Sequence, residues 1–420
     1  MAQTTVIVGA GIVGSYCALQ LSTVRDPRSI TIVDSAPFAY DNTSCVNMGG
    51  FATSEVYPLA RLQNIWRAIR WLPNPQAPLA LRLRYVPELM PWLRVFLRSA
   101  VSKKHFDHVV SSQQALMKRA SQAHAECLGS TGLEKLISGD GAICVYKTRK
   151  RFQSDWNGRW RLFREQGFVC HSLAKDELHN YLPELAANIQ YGIYVPDIRF
   201  WVEPKDLLRG LHDVLKNRGV GIEVASVDRI TAKDRGSFEL ELSTGTELAC
   251  TDLVIAAGAF SKKLCKDLDD DVPLDTERGY STTLPESGIG IDHLLLLVED
   301  DFVATPMRSG LRLGGTVELA GLTAAPNFAR TELLANQIRT YFPTVNTDGR
   351  IDMIGYRPSM PDGLPVISQS SVFDNAYYAF GHGHVGMTQS AITGRLIAQL
   401  VGGAEPEMNV QPYSVGRFRK

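Results

Sequence analysis

A glycine-rich turn stands near each end of this chain, VIVGAGIVGS at Val6–Ser15 and GHGHVGM at Gly381–Met387. The first follows an apolar run, Val6–Val8, and supplies Gly9, Gly11 and Gly14. That order predicts a strand, a tight turn and a helix from about Val13 to Ser22. Such a turn is where a dinucleotide pyrophosphate rests on backbone N–H groups. A nicotinamide domain needs only this first turn. A second one so far downstream points to a longer cofactor touched by both ends of the chain, and FAD meets that description.

The following residues agree. ITIVDS at Ile30–Ser35 reads as a buried strand that ends on an acid, twenty residues after Gly14. Asp34, with Ser35 beside it, stands where a carboxylate can accept both ribose hydroxyls of the adenosine half. The loop Asp41–Phe51 is polar and glycine-rich, so its backbone can come close to a flat or charged ligand. TDLVIAAGAFS at Thr251–Ser261 is an apolar strand ending in Ala-Ala-Gly, a form that closes over a nucleotide. Further elements are a strand at Gly141–Thr148, a helix at Pro204–Asn217, and strand and loop at Gly221–Ile230. Alternating strands over about 277–355, including Arg308–Leu319, belong to a second sheet.

Composition narrows the class. The chain has 420 residues, 45% apolar and 21% charged, with a formal net charge of zero, so two interleaved domains are expected and nucleic acid is not an expected partner. Its seven cysteines are scattered, odd in number and form no CxxC pair. That argues against a disulfide framework or zinc site and for a reducing, cytoplasmic compartment. No apolar run reaches the roughly eighteen residues of a spanning helix.

From Arg61 to Lys104 the chain carries nine basic residues and one acid, Glu88, together with Trp66, Trp71 and Trp92. Leu59, Leu62, Ile65, Trp66, Ile69 and Leu72 follow helical spacing, as do Leu89, Leu93, Phe96 and Leu97. Pro73, Pro75, Pro78, Pro87 and Pro91 divide the stretch into short helices. Two readings are open. Either the segment lies on an anionic membrane surface, or its apolar stripes pack on the body and its arginines are a solvated face. A long polar helix follows at about Asp107–Leu128.

The motifs, taken in order, resemble the D-amino-acid oxidase superfamily of FAD enzymes, and within it the bacterial D-amino-acid dehydrogenases. They are GAGIVG and Asp34, TSxxNxG at Thr43–Gly49, VEP before a helix at Val202–Leu208, and AAG at 256–258. RGYS at Arg278–Ser281, GGT at Gly314–Thr316, RPxxPDGLPVI at Arg357–Ile367 and GHGxxGxT at Gly381–Thr388 complete the series. The pattern departs at Cys45 and Val46, and again over Gln190–Trp201 on the expected substrate side.

The resemblance implies an α/β protein: a Rossmann-like FAD-binding domain of glutathione-reductase type interleaved with an antiparallel-sheet substrate domain. Residues 1–60, 141–160, 202–275 and 352–420 would form the first, and 61–140, 161–201 and 276–351 the second. Gly9, Gly11, Ile12, Val13 and Gly14 would hold the pyrophosphate, and Asp34 and Ser35 the ribose. Thr43, Ser44, Asn47, Gly49 and Gly50 would line the segment from pyrophosphate to flavin. Val227 would meet adenine, and Ala257 and Gly258 would cover the adenosine. Gly355, Gly383, His384, Val385, Gly386 and Met387 would border the flavin ring. Apolar spacing at Ala391, Leu396, Ile397 and Leu400 adds a helix starting near Met387, whose N-terminus would favour negative charge on the ring.

The implied reaction is oxidation of a D-amino acid to a 2-oxo acid and ammonia, with electrons passed to a quinone or a protein. Arg357 would grip the substrate carboxylate through two parallel hydrogen bonds. Tyr280 would help it, with Tyr57, Tyr194 and Tyr356 as competitors. His382 would belong to the site through the flavin loop rather than as half of a metal pair with His384. The acids Asp267, Asp269, Asp270 and Asp271 read as a solvated loop. Two alternatives stand beside this one: oxidation of a secondary amine such as sarcosine, proline or hydroxyproline, with this chain as one subunit of a hetero-oligomer, and a flavin-bound assembly or relay subunit without substrate chemistry.

Overall fold

The structure, a computed structural model, describes residues 3–37, 42–51, 53, 55–72, 74, 77–165, 167–233 and 236–419. Asp41, Pro73 and Pro75 lie outside the described residues.

The first strand, Thr5–Val8, occupies the interior of a six-stranded sheet. It pairs in parallel with Ile30–Asp34 on one side and with Asp252–Ile255 on the other. Gly221–Val224 extends the sheet at one edge; Ala376–Phe380 and Val366–Gln369 extend it at the other. All four residues of Thr5–Val8 are buried, as a parallel strand covered on both faces must be. One face carries the helices Ile12–Leu21, Lys103–Thr131, Pro204–Arg218 and Gly386–Val401, joined in one apolar core. The other carries a three-stranded antiparallel sheet, Val227–Lys233, Ser237–Leu242 and Glu247–Cys250. The first and last helices touch closely because Gly394 has no side chain: a Cβ there would lie 2.5 Å from the Tyr16 carbonyl oxygen.

A ten-stranded sheet forms the second layer system. Its spine is the long strand Asp275–Leu284, paired antiparallel with Ile351–Ser359 and with Gly310–Gly314. The helix Ala329–Tyr341 covers one face through Leu334, Ile338 and Tyr341.

Four expectations need correction here. Ala142–Tyr146 was placed with the dinucleotide domain, yet it pairs with Tyr191–Val195 and Leu294–Leu297 and so joins the larger sheet. That sheet is mixed, since Ala142–Tyr146 runs parallel to Leu294–Leu297. The helix Lys103–Thr131 was assigned to the substrate side, but it packs on the dinucleotide side. Its small Ala120 and Ala123 allow close approach, and buried His124 hydrogen-bonds the carbonyls of Met387 (3.0 Å) and Thr388 (3.1 Å). Pro91 does not end a helix. It sits inside Val86–Val101, where its missing N–H leaves only one carbonyl without an intrahelical donor.

Candidate active site

A cavity of about 1510 Å³ runs from the dinucleotide sheet to the ten-stranded sheet. That exceeds the roughly 300–1,000 Å³ of a drug-sized pocket and suits a long dinucleotide with a substrate beside it.

At one end the backbone shapes the wall. The Gly9 N–H donates to the Val33 carbonyl at 2.8 Å, and Gly9 adopts a φ of 112°. A Cβ there would meet the Ala256 carbonyl oxygen at 2.4 Å. Gly14 lies under the turn: its Cβ would fall 1.9 Å from the Gly9 oxygen. Gly11, Ile12 and Val13 line the cavity at the first turn of a helix that no side chain of its N-cap residue closes. Ser44 Oγ accepts from the Ile12 N–H at 3.0 Å and so ties the loop to the turn. The Asp34 carboxylate accepts from Ala10 N–H (2.6 Å) and Ala36 N–H (3.1 Å), with further lone pairs available to a ribose. Ser35, Val227, Ala257 and Gly258 complete this end. The close approach of Ser44 Oγ to Gly11, the crowded backbone at Gly9 and Gly14 and the presented acid fit the adenosine pyrophosphate of FAD.

The loop from Asn42 to Gly50 forms the middle of the wall, through Thr43, Ser44, Asn47 and Gly50. Arg312 pins it from behind, donating to the carbonyls of Cys45 (2.9 Å) and Asn47 (3.0 Å) while pairing with Glu203 at 3.2 Å. Burial lowers the Arg312 pKa and Glu203 opposes that shift. Nothing in the sequence pattern marked Arg312, because its partners are far away along the chain. Gly49 is not on the wall. It has a φ of 73°, and its Cβ would strike the Trp201 carbonyl at 2.8 Å.

At the far end, Arg357 sits on the strand Ile351–Ser359 opposite Glu277, one diagonal step from Gly279. Its guanidinium lies over that glycine, where a Cβ would come within 2.5 Å of it. Arg357 Nη1 donates to the Thr316 carbonyl at 3.2 Å, and no carboxylate among the described residues reaches ion-pair distance of it. Burial lowers its pKa and Glu277 raises it. Gly355, Gly383, His384, Gly386 and Met387 also line the cavity, at the uncapped N-terminus of the helix Gly386–Val401. Val385 does not; it is buried against Val56 and Met117.

Tyr280 lines the cavity, but its hydroxyl is committed. It donates to Glu318 at 2.5 Å and accepts from the Asn327 N–H at 2.9 Å. The expected hold on a substrate carboxylate does not match this geometry. Of its competitors, Tyr356 is on the wall, whereas Tyr57 and Tyr194 are not. His382 is buried, bonded to Thr393 Oγ1 at 2.9 Å, and burial pulls its pKa down to about 3. It lines the cavity, and burial disfavours its charged form. The acid cluster also differs from expectation, because Asp270 is buried, accepting from Tyr378 (2.8 Å), from Ser370 Oγ (2.6 Å) and from Ser371.

Sequence reasoning missed the apolar wall formed by Met48, Leu294, Leu296 and Val303. The run of four leucines at Leu294–Leu297 has no alternation to show which of them face inward.

A long cavity with a glycine turn at one end and a buried guanidinium at the other is the shape that a flavin enzyme acting on an amino acid would need. The comparisons with known proteins agree. Residues 4–400 match the family model DAO, FAD dependent oxidoreductase, and the chain belongs to that family. It is 33% identical over 418 residues to a D-amino-acid oxidase of Bradyrhizobium diazoefficiens, covering 98% of each chain. It is 28% identical over 429 residues to a D-amino acid dehydrogenase of Methylobacterium nodulans, covering 99% of each. Among solved structures, glycine oxidase from Geobacillus kaustophilus superposes with a TM-score of 0.70 at 19% identity over 99% of both chains. Iminodiacetate oxidase from Chelativorans gives 0.72 at 15% identity over 98% of both. The protein is therefore an FAD-dependent oxidoreductase of the amino acid oxidase and dehydrogenase type, acting on C–N bonds.

Proposed function

We propose that the protein oxidises D-amino acids to 2-oxo acids and ammonia and passes the electrons to a quinone or a protein acceptor. The observation that carries this reading is the Arg357 guanidinium, held over Gly279 in the cavity without a carboxylate of its own. Bound FAD supplies the acceptor for the two electrons and the α-hydrogen.

The residues of the chain bind and orient. Arg357 binds the α-carboxylate with two parallel hydrogen bonds, and the Thr316 carbonyl fixes the plane of its fork. Met48, Leu294, Leu296 and Val303 receive an apolar side chain and keep water from the α-carbon. The turn Gly9–Gly14 would hold the pyrophosphate, Asp34 the ribose, and Asn47, Gly50, Gly355 and the first turn of Gly386–Val401 the flavin ring. That turn favours negative charge beside it. A substrate amine that arrives neutral needs no base, in keeping with a His382 that stays neutral and bonded to Thr393.

An anaerobic screen of D-amino acids, their L-enantiomers and N-methyl amino acids tests this through bleaching of the visible flavin band. D-amino acids with apolar side chains should bleach it. Bleaching by sarcosine, proline or hydroxyproline alone would transfer the reading to secondary amines. No bleaching by any amine, with a copurifying partner, would make the chain a relay subunit.

A further inference from the structure

The helix Leu62–Trp71 has no buried residue, although its sequence is sharply two-sided. Leu62, Trp66 and Ile69, which share one face, are 52%, 64% and 52% exposed, and Leu59 and Leu72 continue that face at 42% and 47%. The opposite face turns to the body: Trp71 lies under the Arg67 guanidinium at 4.7 Å, and Arg67 pairs with Asp301 at 2.6 Å. The helix contains no acid. Arg70 on this helix, Arg84 on the 3-10 turn Leu83–Tyr85, Arg94 and Arg98 on Val86–Val101 and Lys103 and Lys104 at the start of Lys103–Thr131 are exposed, and no carboxylate among the described residues lies within ion-pair distance of them. Leu59, Glu55 and Asp301 all line the cavity, so this outward apolar face begins at the cavity mouth.

We propose that Leu62–Trp71 seats the protein on an anionic lipid surface, so that the cavity opens toward the bilayer beside Leu59 and Asp301. Charge complementarity selects this occupant. An interfacial helix buries one apolar face, with a tryptophan at headgroup depth, and flanking arginines meet anionic headgroups. A second copy of the chain fits less well. Ten residues of helix span only about 15 Å and are about 10 Å wide, so their face covers roughly 150 Å², far short of the roughly 800 Å² per partner of a stable interface, and the arginines of two copies would repel one another. The opening toward lipid rests on reading the cavity as the flavin site. It gives a lipid-dissolved quinone a direct route to the reduced cofactor, while the amino acid enters from water.

Flotation of the flavin-loaded protein tests the seat without reference to turnover. The vesicles are equal parts phosphatidylcholine and phosphatidylglycerol, or phosphatidylcholine alone. Binding is expected to the anionic vesicles at low salt, weakening as salt rises. Trp66→Glu and Arg70→Glu should each weaken it about tenfold, with flavin content and the reduction of a water-soluble dye unchanged. Absence of flotation with anionic vesicles would overturn the proposal, as would equal flotation of wild type and Trp66→Glu. A concentration-dependent dimer abolished by Trp66→Glu, without lipid binding, would assign the face to a second copy instead. Reduction of a vesicle-dissolved quinone should slow in Trp66→Glu while dye reduction does not; equal slowing of both, or of neither, would remove the proposed route from lipid. If no amine bleaches the flavin, the flotation result still stands alone.

Discussion

At the nucleotide end of the cavity the backbone does the shaping. Gly9 and Gly14 act through missing side chains, and each acts on backbone of its own turn or of the neighbouring strand end, while Gly11 leaves room for Ser44 Oγ. At the Arg357 end the shaping belongs to side chains from strands distant in sequence: Arg357 diagonal to Gly279, its fork aligned by Thr316, with Tyr280 tied to Glu318 and Asn327. A site made of backbone tolerates no added atom. A site made of side chains can lose affinity in steps.

Gly14→Ala should have the largest effect. Its Cβ would fall 1.9 Å from the Gly9 oxygen, so the helix must shift off the turn. The expected outcome is protein purified without flavin and destabilised by about 3 kcal/mol, read from the flavin-to-protein ratio and the thermal midpoint. Retained flavin would break the contrast. Arg357→Met should keep flavin in full yet lower kcat/KM about 100- to 1,000-fold, as loss of one partner of a buried charge pair implies. The defect should appear mainly in KM, because the carboxylate is held alike before and during oxidation.

Acid should act on the helix side of the nucleotide domain. Burial lowers the His124 pKa from 6.5 to about 4, so the unfolded state binds the proton first as pH falls. Stability is therefore full above pH 6.5 and is lost between about 6.5 and 4, by roughly 3 kcal/mol for this one group. Denaturant midpoints measured across that window check the loss, and His124→Phe should reduce it, the remainder belonging to buried His382, whose pKa is lowered as well. Gly279→Ala should leave flavin and fold intact but displace the guanidinium, lowering kcat/KM about tenfold. Tyr280→Phe should be mildest: about 1 kcal/mol of stability from the lost bond to Glu318, and KM within about twofold. A large rise in KM would return Tyr280 to the substrate.

The same contrast explains what could be read from the chain. The turn Gly9–Gly14 and Asp34 were legible because their partners lie within one βαβ unit, where spacing fixes geometry. Arg357 was legible through its motif, as was the helix after Gly383. The partners of Tyr280 were not, since Glu318 lies 38 residues on and Asn327 a further loop away. Asp270 looked solvated because Tyr378, which buries it, is 108 residues distant. Arg312 and His124 were silent for the same reason: no local pattern announces a side chain that braces another part of the chain. The apolar stripe of Leu62–Trp71 showed its period but not its neighbours, and only the fold reveals that its outer face is left bare.

The closure of the first helix onto the last sets a timetable. Arg25 donates to the Val401 carbonyl, 376 residues away in the chain, and Gly394 rests against Tyr16. At roughly 5–20 residues per second, a ribosome takes on the order of 20 to 80 seconds to deliver the second partner after the first. Throughout that interval the pyrophosphate turn exists without the far wall of its pocket, and the nascent dinucleotide sheet lacks its remaining strands. A pocket closed only by the last helix would take up its flavin only after that helix has arrived.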